Sequence, residues 1–312
     1  MSPPTRFVAQ TSGTIPSLFP IPFSRTGKPV DFKKAVGVVA VALAGLSATT
    51  AAAAAAEHHH LAHGLGLNLA AARAHHSTAH LAAPQALRAP ASYDLSQYAP
   101  APGDQGQVGS CVTWATGYTG YGILTNEQNV DGAPMAPMFI YSQIAKGNDE
   151  GTTASVALPM EQNQGIDTKS DYWQGDFDYT TQPDAAERAN AAHYRLSGFT
   201  ELPTSGSSAR TAIQNAISQG KPVPIGFQVH QSFMDLDARS ASDYSYLPGD
   251  QRSDPIVGGH EVTIVGYNSQ GVKIENSWGA NWGDGGFVTV PWSFFDTGDV
   301  MEIHAMGPLA QG

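Results

Sequence analysis

The stretch DQGQVGSCVTW, residues 104–114, contains the only cysteine of the 312-residue chain. It leads from a glycine-containing turn into the apolar run CVTWATGYTGYGIL, in which large side chains recur at helical spacing. The pattern predicts a helix that begins at or beside Cys111, although Gly117, Gly120 and Gly122 weaken the helical propensity. A lone cysteine is more often a small buried side chain than a nucleophile, so a catalytic role needs support from elsewhere in the chain.

Helical and extended patterns follow one another along the rest of the sequence. Two further helices are predicted, over TASVALPMEQNQGI, which ends at Gly165, and over SARTAIQNAISQGKP, where Gly220 and Pro222 supply a stop signal. Four later segments rich in Val, Ile and aromatic residues predict strands: PVPIGFQVH, HEVTIVGYN, GVKIENSWG and GGFVTVPW. Helices first and strands second indicate an α+β fold, with a mainly helical half at about 100–192, a mainly β half at about 193–312, and a cleft between them.

The charge of the chain is unevenly distributed. Residues 1–90 carry 7 Lys and Arg against 2 Asp and Glu, whereas residues 91–312 carry 9 against 25. A body this acidic repels phosphate backbones, so we do not expect nucleic acid as a partner. The single cysteine makes no disulfide within the chain, and no motif calls for a metal or a cofactor.

The first 50 residues indicate an N-terminal extension and a signal for export. Lys33 and Lys34 precede an apolar run over 35–46, and small residues follow, as in a secretory signal peptide at about 30–50. Residues 1–34 are long for the start of such a signal, which suggests initiation at Val30. We expect a secreted or periplasmic protein without stable membrane insertion after signal removal; a lipid-embedded anchor is the alternative.

Candidate partners for the thiol lie far downstream. His260 stands in VGGHEVTIVGYN, where two glycines leave the ring approachable, and Asn276 follows in IENSWGANWGDGGF. A helix N-terminus supplies only a small part of the stabilisation that a thiolate needs at neutral pH, so Cys111 requires a protonated imidazole beside it. We select His260, because His230 and His304 have the surroundings of structural residues on strands; a structural role is also assigned to His193.

Three segments in register, DQGQVGSC, GGHEVTIVGY and NSWGANWGDGGF, resemble the papain-like cysteine peptidases over about 91–312. The resemblance implies a helical left subdomain and an antiparallel, barrel-like right subdomain on either side of the active-site cleft. It implies Cys111 as the nucleophile and His260 as its acid and base. It also implies that Asn276 orients His260 and that the Gln105 side chain donates to the oxyanion.

The same resemblance implies further residues around the cleft. Trp278 is similar to the indole that shields the His–Asn hydrogen bond from water. DEGTTASVAL resembles the loop beside the subsite for the second residue upstream of the cut, which places Gly151 and Thr152 along the substrate backbone, and Gly258 and Gly259 look like the opposite wall. We therefore expect a monomeric endopeptidase that acts on proteins or peptides.

Two positions depart from the family pattern. Val108 replaces a cysteine that commonly forms a disulfide, and Val112 replaces the aromatic residue after the nucleophile. The chain therefore resembles a bacterial-type branch that is held together by its core without disulfides. Trp114 is a candidate to fill the space that Val112 leaves beneath Cys111.

Residues 51–90 form an Ala- and His-rich tract with seven of the eleven histidines. We interpret the tract as a linker or short pro-segment. His58, His59, His60 and His63 have the spacing of metal ligands, but a solvated tract is favoured. If the tract inhibits the enzyme, we expect it to act by charge, because its histidines are protonated below about pH 6.5 and face an acidic domain.

Two other functions stay open from the sequence. One is a Cys/His cell-wall amidase or acyl transferase, which the distant histidine and the NSWG motif disfavour. The other is an inactive papain-like binding protein, which the joint presence of the four candidate catalytic residues disfavours.

Overall fold

The computed structural model describes residues 63–76 and 89–310. The predicted signal peptide at about 30–50 and much of the Ala- and His-rich tract, including His58, His59 and His60, lie outside these ranges. Among the described residues, none of the helices combines the length and the apolar character that a membrane span requires.

The described residues form the following elements in chain order: α1 (Leu69–His76), β1 (Tyr93–Asp94), α2 (Cys111–Thr113), a π-helix (Trp114–Gly120), α3 (Tyr121–Glu127), α4 (Pro137–Ala145), α5 (Ala154–Gln164), α6 (Ala185–Ala191), β2 (Phe199–Glu201), α7 (Gly206–Ile217), β3 (Val223–His230), α8 (Gln231–Met234), β4 (Ile256–Tyr267), β5 (Gly271–Glu275), β6 (Phe287–Pro291), a 3-10 helix (Trp292–Asp296) and β7 (Val300–Met306).

The predicted helix at the cysteine is present and begins at Cys111 itself. It runs through α2, the π-helix and α3 without a break. The glycines that weakened the prediction permit close packing: a Cβ atom at Gly120 would lie 2.3 Å from the sulfur of Met306, and one at Gly122 would lie 2.6 Å from Pro100. Tertiary contacts therefore outweigh the low helical propensity of these glycines.

The strands form an antiparallel sheet in the order β2-β7-β3-β4-β5-β6, and β1 pairs with β4. β4 carries His260 in its middle, and β5 ends at Glu275, one residue before Asn276. Because β4 and β5 are neighbours, the sheet brings His260 and Asn276 to the same place.

The buried apolar side chains form two clusters. One lies between the sheet and α7, and the other packs α2 to α5 and includes Cys111 and Val112. A helical cluster beside an antiparallel sheet is the α+β architecture that the sequence predicts.

Candidate active site

Cys111, the candidate nucleophile, is fully buried at the first position of its helix. Its sulfur lies near the backbone N–H groups of Gly66, Val112 and Glu261. Burial raises the pKa of the thiol to about 12, and these N–H groups offset the effect only in part. The thiol is therefore neutral in this state.

His260 and Asn276 are joined by a buried hydrogen bond, 2.7 Å between Nε2 and Oδ1. The same Asn276 oxygen accepts the N–H of Ser277 at 2.8 Å, so His260 Nε2 is the donor. Its Nδ1 is buried and makes no hydrogen bond within the described chain, so this nitrogen is free to accept a proton. Burial lowers the pKa of His260 to about 3, so the imidazole is also neutral here.

Trp278 covers this pair. Its ring stacks on His260 with centroids 4.3 Å apart, and only 2% of the residue is exposed. Phe233 and Trp282 pack around the indole at 5.8 and 5.1 Å. Water is thereby kept from the His260–Asn276 bond, which strengthens it.

Gln105 is buried and its amide is fixed at both ends. Its Oε1 accepts the Ser277 hydroxyl at 2.7 Å, and its Nε2 donates to the Val108 carbonyl at 2.9 Å. An amide nitrogen carries two hydrogens, so one of them is left for a further acceptor.

A second link, which the sequence analysis missed, joins the loop before Cys111 to the Gly151 loop. The Asp149 carboxylate accepts the Gly109 N–H at 3.0 and 3.1 Å and the Tyr141 hydroxyl, while the Tyr141 oxygen accepts the Gly151 N–H at 3.1 Å. This network ties together two loops that flank the nucleophile. The sequence contained one indication of this network. Val108 replaces a cysteine that commonly forms a disulfide, so the loop needs another stabilising contact.

The segment 63–68 occupies the cleft. The Gly66 carbonyl accepts the Thr152 N–H at 2.8 Å, and the Asn68 N–H donates to the Thr152 carbonyl at 2.9 Å. On the opposite wall the Leu67 N–H donates to the Gly259 carbonyl at 3.1 Å. The segment is therefore bound between the two walls as an extended chain.

The N-terminal end of segment 63–68 lies against the indole ring of Trp278. The His63 ring stacks on Trp278 with centroids 4.9 Å apart and planes within 9°. The Gly64 N–H donates to the Gly106 carbonyl at 2.8 Å, and Trp278 donates to the Gly64 carbonyl at 3.3 Å. The interpretation of His63 as part of a solvated tract is wrong, because this contact partly buries the ring.

Gly64 and Gly66 allow the backbone of the segment to approach the backbone of the loop before Cys111 closely. A Cβ atom at Gly64 would lie 2.5 Å from the Val108 carbonyl oxygen, and one at Gly66 would lie 1.9 Å from that of Gly109. On the wall, a Cβ at Gly151 would lie 2.1 Å from the Gly66 oxygen. Only glycine fits at these positions.

The four predicted substrate-binding residues all contact this segment. Gly151 and Thr152 lie along Gly66, and Gly259 accepts the Leu67 hydrogen bond. A Cβ at Gly258 would lie 2.7 Å from a methyl carbon of Leu65. The structure thus brings these residues together as the walls of one cleft; their role toward a substrate stays a prediction.

α1 continues the segment across the edge of the sheet. Arg73 donates to Gln228, and His75 Nε2 lies 3.4 Å from a carboxylate oxygen of Glu201. Ala72, in the middle of α1, is buried.

Trp114 does not take the place of the missing aromatic at Val112. It packs against Tyr118, with ring centroids 4.8 Å apart, and against Gly103, while the Lys169 ammonium lies 5.4 Å above its ring. Val112 belongs to the buried cluster of the helical half instead.

The remaining histidines lie away from this site. His230 and His304 are buried on β3 and β7, and His230 Nδ1 lies 2.6 Å from the Asp254 carbonyl oxygen. His193 follows α6 in a turn. No cluster of His, Cys, Asp and Glu suited to a metal ion occurs among the residues that the structure describes.

The sequence model of the family described as papain family cysteine protease matches residues 89–295. A peptidase C1-like protein of Acanthamoeba polyphaga mimivirus is 25% identical over 203 residues, which cover 61% of this chain and 64% of the relative. Cysteine proteinase 3 of Entamoeba histolytica is 30% identical over 216 residues, 64% of this chain and 62% of the relative. The chain thus matches less than two thirds of the length of either relative.

Solved structures show the same fold. Xylellain, a cysteine protease from Xylella fastidiosa, superposes with a TM-score of 0.64 at 18% identity and covers 80% of this chain and 97% of its own. Procathepsin L 3 of Tenebrio molitor superposes with a TM-score of 0.57 at 20% identity, covering 79% of this chain and 76% of its own. The predicted papain-like α+β fold is confirmed.

Proposed function

The chain belongs to the papain family of cysteine proteases, and we propose on this basis that it is an exported cysteine endopeptidase. The observation that carries the proposal is the 2.7 Å bond between His260 and Asn276, covered by Trp278, next to a cysteine at the start of a helix. His260 Nδ1 is left without a hydrogen bond, and the Cys111 sulfur lies near the backbone N–H of Glu261, the residue that follows His260.

In the proposed reaction, the Cys111 thiol passes its proton to Nδ1 of His260, and the sulfur attacks the peptide carbonyl carbon. The imidazolium then protonates the leaving amine as the C–N bond breaks, which leaves a thioester on Cys111. Water deprotonated by His260 hydrolyses the thioester, releases the acid product and restores the thiol.

Two groups support these steps. Asn276 holds His260 in the tautomer that offers Nδ1 to the thiol, without adding a charge. The second hydrogen of the Gln105 amide and the backbone N–H of Cys111 stabilise the oxyanion of the tetrahedral intermediate. Loss of one such donor typically lowers the rate by ~10²–10³-fold.

The segment 63–68 holds the enzyme in a latent state. His260 must protonate the leaving amine, so the leaving half of a substrate lies toward Trp278 and the acyl half toward Gly151. A substrate therefore runs from Gly151 to Trp278, whereas the segment runs from His63 at Trp278 to Asn68 at Thr152. Because it runs backwards, the segment blocks the cleft without being cut.

The contacts of the segment support a block that acts by contact and shape; inhibition by charge, as expected from the sequence, stays a prediction. The segment is held by backbone hydrogen bonds and by glycines that fit only at short distances. The Gly66 N–H lies near the Cys111 sulfur, and burial keeps both the thiol and the imidazole neutral.

A cleavage assay tests the proposed function. The full chain is incubated with an unfolded protein substrate, and the fragments are identified by mass spectrometry. We expect internal cuts that disappear in the variants Cys111→Ser and His260→Ala. Cleavage by the Cys111→Ser variant would refute the peptidase assignment. So would a wild-type chain that cuts no substrate at acidic pH, where release of the segment is favoured.

A further inference from the structure

A buried glutamate contacts the continuous helix that begins at Cys111. Glu161 lies on α5 and is fully buried. Its Oε1 lies 2.6 Å from the hydroxyl oxygen of Thr116, in the π-helix. The same hydroxyl lies 3.0 Å from the carbonyl oxygen of Val112, the residue after Cys111. One threonine side chain therefore connects Glu161 to the turn of the nucleophile, although Glu161 takes no part in the reaction described above.

The two contacts of Thr116 determine which group supplies each hydrogen. A hydroxyl group carries one hydrogen, and a carbonyl oxygen can only accept. Thr116 therefore donates its hydrogen to the Val112 carbonyl. The hydrogen between Thr116 and Glu161 must then come from the carboxyl group, so Glu161 is protonated and donates to Thr116.

The surroundings of Glu161 agree with a protonated carboxyl group. Its Oε2 is buried and makes no hydrogen bond within the described chain. No Lys, Arg or His of residues 63–76 and 89–310 forms an ion pair with it. A carboxylate here would be a buried charge without a partner, which is costly. Burial accordingly raises the pKa of Glu161 to about 8, so the side chain keeps its proton in neutral and acidic solution.

We propose that protonated Glu161 is a positioning residue of the active site, which holds the turn of Cys111 in place through the hydroxyl of Thr116. The proposal rests on the peptidase function given above. An ionised Glu161 can only accept, so it takes the Thr116 hydrogen and the Val112 carbonyl loses this hydrogen bond. Val112 also presents its backbone N–H to the Cys111 sulfur. A shift of Val112 therefore moves the sulfur away from its place beside His260.

The groups around Glu161 offer no positive charge that could stabilise its ionised form. The Tyr121 hydroxyl donates to the backbone carbonyl of Glu161 at 3.2 Å and leaves the carboxyl group alone. The titratable groups on the neighbouring elements are all acids: Cys111 on α2, Tyr118 on the π-helix, Tyr121 on α3, Tyr141 on α4 and Glu261 on β4. Burial raises the pKa of each of them as well.

The experiment compares the full chain with its Glu161→Gln variant on one peptide substrate from about pH 6 to about pH 9. The glutamine amide keeps an N–H donor for Thr116 at every pH. The titration of His260 and the release of segment 63–68 affect both proteins alike, so they cancel in the ratio of the two kcat/KM values. We expect Glu161→Gln over wild type to be about 1 at pH 6 and to rise to roughly 3- to 10-fold at pH 9, the loss of one hydrogen bond.

Two further variants distinguish positioning from a general effect on the fold. Thr116→Val keeps the shape and removes the hydroxyl, so adding Glu161→Gln to it should leave the pH profile unchanged. Glu127→Gln, the same change at an exposed position of α3, should match the wild type at every pH. If Thr116→Val fails to fold, Thr116→Ser takes its place: it keeps the hydroxyl and should show the same rise with Glu161→Gln as the wild type.

The outcomes separate the two proposals. A ratio that stays constant from about pH 6 to about pH 9 overturns the role of Glu161 and leaves the peptidase function intact. A ratio that rises just as much in the Thr116→Val background overturns it too, because the ionisation then acts by a route other than Thr116. If the wild type cuts no peptide and a thiol-alkylating peptide epoxide fails to label Cys111, the peptidase function fails and this inference falls with it.

Discussion

Replacing Gly66 by alanine should open the cleft. The added Cβ would lie 1.9 Å from the carbonyl oxygen of Gly109, well inside the roughly 3.3 Å at which carbon and oxygen make contact. The obstacle is backbone, so it cannot rotate away as a side chain would. Overpacking of this kind costs ~1–3 kcal/mol. At a factor of ten for about each 1.4 kcal/mol, the open state gains roughly 5- to 150-fold in population relative to the closed one.

The rate at which a small alkylating agent labels Cys111 measures this population. The thiol is fully buried in the closed state, so labelling requires opening. When the segment closes again faster than the thiol reacts, the observed rate is proportional to the open fraction. We expect Gly66→Ala to be labelled roughly 5- to 150-fold faster than the wild type. Ala70→Ser, an exposed change on α1, serves as the matched control and keeps the wild-type rate.

A rate for Gly66→Ala equal to that of the wild type would show that the segment is not what buries the thiol. An increase that comes with a lower unfolding midpoint of the whole domain would contradict it too. In that case the substitution acts by general destabilisation rather than by release of the segment.

Three further predictions concern the site and the segment. Asn276→Ala should lower kcat by ~10–10²-fold and His260→Ala by ~10³-fold or more, since only the second removes the proton carrier; equal losses in steady-state assays would contradict the roles assigned. Asp149→Ala, which removes the acceptor of the Gly109 N–H, should lower kcat/KM about 3- to 10-fold, and Asp149→Asn, which keeps an acceptor oxygen, should recover most of the loss. Burial lowers the pKa of His63, so the released segment takes up a proton below about pH 6.5 more readily than the bound one, and acidification favours release. The ratio of wild-type to His63→Phe labelling should therefore rise from about pH 7.5 to about pH 5.5, whereas charge-driven inhibition predicts a fall.

Local patterns in the sequence were sufficient for much of the fold. The helix that starts at Cys111 and the strand that carries His260 have apolar periodicity and glycine or asparagine turns at their ends, and both are present. The pairing of β4 with β5, which places Asn276 beside His260, depends on tertiary contacts. The family resemblance implied the contact of Asn276 with His260 but no strand pairing.

The remaining features depend on tertiary contacts that periodicity does not encode. The low-complexity composition of 51–90 concealed the fit of Gly64 and Gly66 to the cleft, although the alternation GLGLNL is an extended-chain pattern. The sequence analysis also did not predict the π-helical stretch Trp114–Gly120, since π-helices are rare.

Mass-spectrometric location of a covalent adduct shows whether Cys111 is a nucleophile that His260 activates. The full chain is treated with an epoxide peptide that alkylates activated thiols, under reducing conditions at about pH 6–7, where an ordinary thiol with a pKa near 8.5 is mostly unreactive. We predict one adduct, on Cys111, which forms faster in Gly66→Ala and is lost in His260→Ala. If Cys111 stays unlabelled in Gly66→Ala, or if His260→Ala leaves the labelling unchanged, Cys111 is not a nucleophile activated by His260.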